Sequence, residues 1–106
     1  MKPEKTKMKI IEGSVCAPLG FVASGIHAAI KKRKKDITLI YSETPAQAAG
    51  VFTQSKTVAA CVTLDQQQLR NSKTISAILV NSGNANACTG TRGMKNAWQT
   101  VETTAL

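Results

Sequence analysis

Apolar residues run together or alternate over most of this chain, and only its last segment adopts a helical spacing. Ile37-Thr38-Leu39-Ile40-Tyr41 is the clearest strand, because four of its five residues are β-branched or aromatic. Residues 21–30 mix small and apolar side chains and predict a strand interrupted or bulged at Gly25. Before them, residues 1–7 read as a frayed arm, residues 8–11 as a short edge strand, and residues 13–20 as a loop punctuated by Pro18 and Gly20. A turn is expected at Glu43-Thr44-Pro45, after which residues 46–53 and 58–64 read as paired extended segments. Residues 65–70 are polar and helix-compatible. Residues 75–80 form a near-continuous apolar run, the pattern of an inner strand covered on both faces.

The end of the chain carries a different period. Met94, Ala97, Trp98, Val101 and Ala105 fall on one face at helical spacing, which predicts an amphipathic helix. No Gly, Asn or Pro stops that pattern between Ala97 and Leu106. A helical pattern still running at the last residue reads as part of a longer polypeptide.

Composition narrows the class. A chain of 106 residues is at most one domain. Its 42% hydrophobic content includes few aromatics, so a core would be built from Ile, Val, Leu and Ala, as in a sheet-rich enzyme layer. Cys16, Cys61 and Cys88 are odd in number, widely spaced and without a C-x-x-C pair, which indicates neither a disulfide framework nor a metal site. That usage fits a reducing cytoplasm. Lysines near the N-terminus are not followed by a long apolar stretch, and no run approaches the roughly 18 apolar residues of a membrane span. The expectation is a soluble, non-secreted, cytoplasmic chain.

A net charge of +8 invites a nucleic-acid reading, with Lys31-Lys32-Arg33-Lys34-Lys35 as its sharpest expression. The run lies between two strand-like segments, where a solvated hairpin turn naturally collects lysines. It contains no aromatic residue to stack a base, and no helix-turn-helix or Gly-rich pattern accompanies it. Adaptation to heat or high solubility also loads surfaces with Lys. An exposed basic turn is therefore the preferred reading, and a basic nucleic-acid-binding module is the alternative.

The candidate chemistry lies in Asn81-Ser82-Gly83-Asn84-Ala85-Asn86-Ala87-Cys88-Thr89-Gly90. This string of small polar residues follows the most apolar strand and precedes the helix. Such a junction presents backbone N–H groups to an anion or a developing oxyanion. A purely conformational explanation stands beside it, in which Asn and Gly satisfy left-handed turn geometry. Cys88 could be a nucleophile beside the lone His27, but no spacing argues for a lowered thiol pKa, so a small buried filler is preferred.

Three strings together resemble the N-terminal part of the ornithine acetyltransferase family, also called bifunctional glutamate N-acetyltransferase. They are Gly13-Ser14-Val15-Cys16-Ala17-Pro18-Leu19-Gly20-Phe21, Ala49-Gly50-Val51-Phe52-Thr53, and the Asn-rich string ending in Cys88-Thr89-Gly90. The resemblance runs from about Ile11 to the end. The basic run at 31–35 and Cys61, where the family often has proline, depart from the pattern outside those strings.

The resemblance implies an α/β fold, a layered α-β-β-α sandwich shared with self-processing aminopeptidases, of which residues 1–106 are the N-terminal portion of one domain. It implies acetyl transfer from N-acetylornithine to glutamate in arginine biosynthesis, with acetyl-CoA as a co-substrate in some members and no cofactor. A precursor of this family cuts itself before a threonine. The freed N-terminal Thr of the β chain is the nucleophile, its own α-amine serving as base. Such a segment lies outside this sequence, and the chain alone is expected to be inactive. The partners implied are the β chain of the same precursor, in a heterotetramer of two α and two β chains, with no membrane and no nucleic acid. Site residues carried over by the motif are Thr89 and Gly90, the oxyanion hole. Substrate-binding residues are not identified, and His27 is left a structural or surface role.

Overall fold

The computed structural model describes residues 7–106. The residues 1–6 of the expected arm lie outside the described residues, and Lys7 is exposed coil. A short 3-10 turn at Ser14–Cys16 leads into β1 (Phe21–Ile26), β2 (Ile37–Gln47), α1 (Ala60–Asn71), β3 (Thr74–Asn81) and α2 (Gly90–Thr104). The strands form one antiparallel sheet in the order β1-β2-β3. This is the mixed α/β architecture expected, with one sheet and one pair of helices among the described residues.

The β1–β2 hairpin is in regular register from Phe21 opposite Ser42 to Ile26 opposite Ile37. Gly25 pairs with Thr38 without a bulge, and the strand ends at Ile26, four residues short of the expected limit at Ile30. The irregularity falls in β2 instead. Tyr41 faces Ala77 and Ala46 faces Ile75, so residues 42–45 bulge away from β3 while β2 continues through the expected turn, with Ser42 still paired to Phe21 of β1. Pro45 has no N–H to give the ladder, and looping it out costs no sheet hydrogen bond. Ser42, buried inside the bulge, donates from Oγ to the carbonyl of Thr44.

Two further expectations change. Residues 8–11 are coil, with Ile10 and Ile11 exposed, because no neighbouring strand edge reaches them. Residues 58–64 are not extended beyond Ala59: helix starts at Ala60 and runs on through the polar 65–70 stretch. Periodicity alone does not separate a short apolar strand from a helix. The merged segment resolves the ambiguity: it forms one helix that packs against α2 and buries Leu64. Residues 48–53 are likewise coil after β2. Gly50 lets the side chains of Phe52 and Leu69 close over the coil, since a Cβ would come within 2.8 Å of the Phe52 ring and 3.1 Å of Leu69 on α1 and would push them aside.

The C-terminal helix agrees with its pattern. Met94, Ala97, Trp98 and Val101 are half-buried along one face of α2, while Ala105 forms the exposed C-cap. Residues 75–80 do form a strand, but β3 is an edge of this sheet. Ile78 and Val80 on one face are 58% and 48% exposed, and Leu79 on the other is 36% exposed, so neither face is fully covered by the described residues. Leu64 is the only buried hydrophobic side chain among them. The radius of gyration is 16.7 Å, against about 13 Å for a compact domain of this length. The apolar run thus signals cover that the described residues do not supply. No helix among the described residues is long and apolar enough to cross a membrane.

Candidate functional site

The basic run and the Asn-rich string, separate in sequence, meet at Asp36. Its carboxylate is buried at the base of the 27–36 hairpin loop and accepts the N–H groups of Ala28 at 2.7 Å, Ile30 at 2.8 Å and Lys31 at 2.9 Å. The Lys31 amide is the strongest influence holding this carboxyl below its ordinary value. Burial opposes the shift, and the Ala28 and Ile30 amides and the nearby His27 assist it. His27 is exposed on the same loop and bonds through Nε2 to the Lys31 carbonyl at 2.7 Å, so it is a loop residue and not a partner of Cys88. The remaining basic side chains, Lys32 to Lys35, are exposed as a hairpin turn requires. Lys31 differs: its stem lies over Gly83, where a Cβ would come within 2.7 Å of the Lys31 Cγ.

From Ser82 onward the chain leaves the sheet and turns toward α2. Gly83 takes φ 103°, and the Asn81 side-chain amide donates to the Asn84 carbonyl at 3.3 Å. Two residues farther, Asn86 joins both helices. Its backbone carbonyl accepts the N–H of Ala60, the first residue of α1, at 3.2 Å. Its side-chain amide donates through Nδ2 to the Gly93 carbonyl in α2 at 2.8 Å. Its Oδ1 accepts the hydroxyl of Thr89.

The backbone then alternates in sign. Cys88 has φ 56°, Thr89 φ −104° with ψ 0°, and Gly90 φ 60°. Alternation between right- and left-handed conformations turns successive N–H groups toward one side and forms a concave anion nest. Gly90 meets the left-handed requirement without strain. Cys88 does not, and a non-glycine residue in that region costs roughly 1–2 kcal/mol. Cys88 is also exposed, which replaces the expected buried filler: it faces out because the turn, not a core, fixes its conformation.

Donors at this junction have few acceptors. The first N–H groups of any helix lack intrahelical partners. Among the described residues those of Gly90, Thr91 and Arg92 meet no protein acceptor. Thr89 stands at the N-cap but sends its hydroxyl to Asn86, and neither helix has an acidic residue in its first turn or a side-chain cap. Two helix N-termini without side-chain caps or acidic first-turn residues therefore converge. Between them lies a cleft of about 170 Å³ lined by Val58, Ala60 and Thr63 on one side and Cys88, Thr89, Gly90 and Met94 on the other. Thr89 and Gly90, the residues singled out by sequence, thus share one wall of a small cleft. Asn86 and Gly93 were missed, because their roles are set by contacts across a helical turn. A glycine inside a helical pattern was the one available signal.

A larger open groove of about 410 Å³ lies elsewhere, between residues 48–52 and the Gln66, Leu69 and Arg70 side of α1. Ala49, Gly50 and Phe52 of the second string line it, while Val51 is fully exposed, and the glycine serves the Phe52 packing described above. Among the described residues no three His, Cys, Asp or Glu side chains gather in a way that could hold a metal ion.

Comparison with known proteins gives a consistent result. The model of the ArgJ family matches residues 22–106. The arginine biosynthesis bifunctional protein ArgJ of Streptococcus mutans is 47% identical over 98 residues, which are 92% of this chain and 25% of that protein. The chain therefore spans about a quarter of the length of the curated relatives it matches. The crystal structure of ArgJ from Bacillus halodurans superposes with a TM-score of 0.80 at 42% identity, covering 82% of this chain and 46% of that one. The ornithine acetyltransferase of Mycobacterium tuberculosis, solved with ornithine bound, gives 0.75 at 43% identity over 79% and 44%. With its family model matched from the first strand to the last residue, and its cleft placed between two helix ends, the chain belongs to the ArgJ family.

Proposed function

We propose that this chain forms one wall of an acetyltransferase active site of arginine biosynthesis, working in the cytoplasm, and that the Thr89–Gly90 turn stabilises the oxyanion of acetyl transfer. The observation that carries the reading is the run of sign-alternating φ values at Cys88, Thr89 and Gly90, opening onto a cleft between two uncapped helix N-termini. Family membership favours acetyl transfer over the related aminopeptidase chemistry.

The reaction proceeds in two acyl transfers. A threonine hydroxyl, supplied by a self-cleaved N-terminus outside this chain, attacks the acetyl carbonyl of N-acetylornithine, its proton passing to the threonine's own α-amine. The new C–O bond leaves the carbonyl oxygen negatively charged. Collapse breaks the C–N bond, and the departing amine takes the proton and leaves as ornithine. The α-amine of glutamate then attacks the acetyl ester through a second oxyanion and forms a C–N bond; collapse breaks the C–O bond to threonine, and the proton lost by the glutamate amine returns to the threonine oxygen. In both steps the N–H groups of the nest stabilise the charge. They are fixed before it develops, so no reorganisation is needed at the transition state. Acetyl-CoA, where used, enters as an alternative acetyl donor, and no cofactor takes part. The nucleophile arrives on the β chain, in an assembly of two α and two β chains that binds neither membrane nor nucleic acid.

The test is to express the complete protein that carries this chain, mix it with N-acetylornithine, and follow acetylation of the nucleophilic threonine by mass spectrometry alongside ornithine release. Stoichiometric acetyl-enzyme that glutamate discharges is the expected result. A protein that releases no ornithine and carries no acetyl group would overturn the reading.

A further inference from the structure

We infer that Asn86 is a positioning residue for acetyl transfer and that Gly93 is the glycine that makes its position available; the inference rests on the oxyanion reading of Thr89 and Gly90. Three bonds converge on Asn86. Its backbone carbonyl holds the start of α1 at Ala60, its Nδ2 donates to the Gly93 carbonyl in α2 at 2.8 Å, and its Oδ1 accepts the Thr89 hydroxyl. The assignment is self-consistent. An amide nitrogen can only donate and the Gly93 carbonyl can only accept, so Oδ1 must face Thr89 and the hydroxyl must be the donor.

The consequence is a division of labour at Thr89. A hydroxyl that donates to Asn86 cannot give the same proton to an oxyanion. Thr89 thus serves the nest through its backbone, with its side chain as the anchor that fixes the turn. The same bond explains why Thr89, although of a favoured capping type, leaves the α2 amides uncapped. Those donors stay free for a ligand because Asn86 has taken the group that would have satisfied one of them.

Gly93 completes the arrangement. It is buried, inside a helix where Gly is less favourable than Ala by about 0.5–1 kcal/mol. A Cβ built there would fall on the Thr89 Oγ1 and Asn86 Oδ1 atoms, and within 2.5 Å of the Thr89 Cβ. The space a side chain would fill is occupied by the hydrogen bond itself. A glycine that weakens the helix is thus required by the contact it admits.

The experiment uses the complete protein carrying this chain, with Asn86→Ala, Asn86→Asp, Thr89→Ala and the double variant Asn86→Ala/Thr89→Ala. Asn86→Ala is expected to lower kcat at least about tenfold while KM for N-acetylornithine changes less than about twofold. Asn86→Asp keeps an acceptor for Thr89 and places negative charge at a helix N-terminus, which holds or raises the Tm. It loses the donor to Gly93 and sets a charge beside the nest, so kcat is expected to fall at least as far as in Asn86→Ala. A stable protein with impaired turnover is a pattern that a merely structural role does not produce. If Asn86→Ala does not fold, Asn86→Asp carries the test.

The double variant is expected to be no slower than the slower single variant, since both break one unit. Wild-type kcat in Asn86→Asp, or losses that multiply in the double variant, would overturn the inference while leaving the oxyanion reading intact. A wild-type protein that forms no acetyl-enzyme would remove the oxyanion reading, and this inference with it.

Discussion

The backbone carbonyl of Asp36 accepts the N–H of Ser82 at 2.9 Å, so the residue that closes the basic hairpin also holds the point where the Asn-rich string leaves β3. Its carboxylate meanwhile gathers three amides of the hairpin loop. The lysine cluster is thereby organised from beneath by a buried acid.

Asp36→Asn is expected to lower the Tm of the complete protein at neutral pH, because a neutral amide gives the loop one accepting oxygen in place of two charged ones. The sign with pH follows from a carboxyl held below its ordinary value of 3.8. Such a group stabilises the fold fully above that value, and the contribution is lost as pH falls through the lower folded value. Thermal melts at stepped pH should show the gap between wild type and Asp36→Asn closing only below about pH 4. A gap that stays constant into strong acid would show that charge is not what Asp36 contributes.

Gly93→Ala exchanges a poor helix former for the best one, worth about 1 kcal/mol in favour of the variant on propensity alone. The space occupied by Thr89 and Asn86 decides against it. A lower Tm and a lower kcat together are expected from calorimetry and steady-state kinetics. A more stable, fully active Gly93→Ala protein would show that the Asn86–Thr89 bond does not occupy that space.

At Gly90 there is room, since nothing lies within 4 Å of a Cβ built there, and yet φ is 60°. Gly90→Ala should therefore cost roughly 1–2 kcal/mol through conformation alone. Any relaxation that relieves this strain rotates the N–H groups of the nest, so kcat should drop beyond what the Tm change accounts for. Unchanged turnover would mean that this turn does not direct the donors.

Thr89→Ala is expected to reduce kcat at least about tenfold, as Asn86→Ala does, with little change in KM for N-acetylornithine. Loss of the anchor misplaces donors that are needed only once charge has developed. Progress curves at saturating and limiting substrate separate the two constants. A rise in KM at constant kcat would assign Thr89 to ground-state binding.

Replacing the exposed Lys32, Arg33 and Lys34 by serine should leave acetyl transfer unchanged, because they sit on the solvated turn of the hairpin. The same side chains would carry any nucleic-acid affinity. Titration with single-stranded RNA at rising salt should show no saturable binding by the wild type. Tight binding that weakens steeply with salt would instead support the nucleic-acid alternative.

Legibility differed by element. The α2 helix was readable because Met94, Ala97, Trp98 and Val101 repeat at a helical period that no strand can satisfy. The hairpin that holds Lys31 to Lys35 was readable because charge collects where two apolar runs must reverse. Residues 58–64 were not, since a short apolar run suits either element until a packing partner selects one. Glu43-Thr44-Pro45 reads as a turn from sequence, whereas the sheet absorbs it as a bulge within β2. Thr89 and Gly90 came from the motif. The alternating backbone around them, and the exposure of Cys88, did not.

Which segments are apolar, where the chain must turn, and that a small-residue junction precedes the last helix can all be read along the chain, since each depends only on sequence neighbours. What that junction does follows from how the helices pack around it. Asn86 stands three residues from Thr89 and seven from Gly93, and it becomes their common partner only when α2 folds back over its own entry turn. Hydrogen bonds and excluded volume across a helical turn are properties of relative position, and a linear pattern does not contain them.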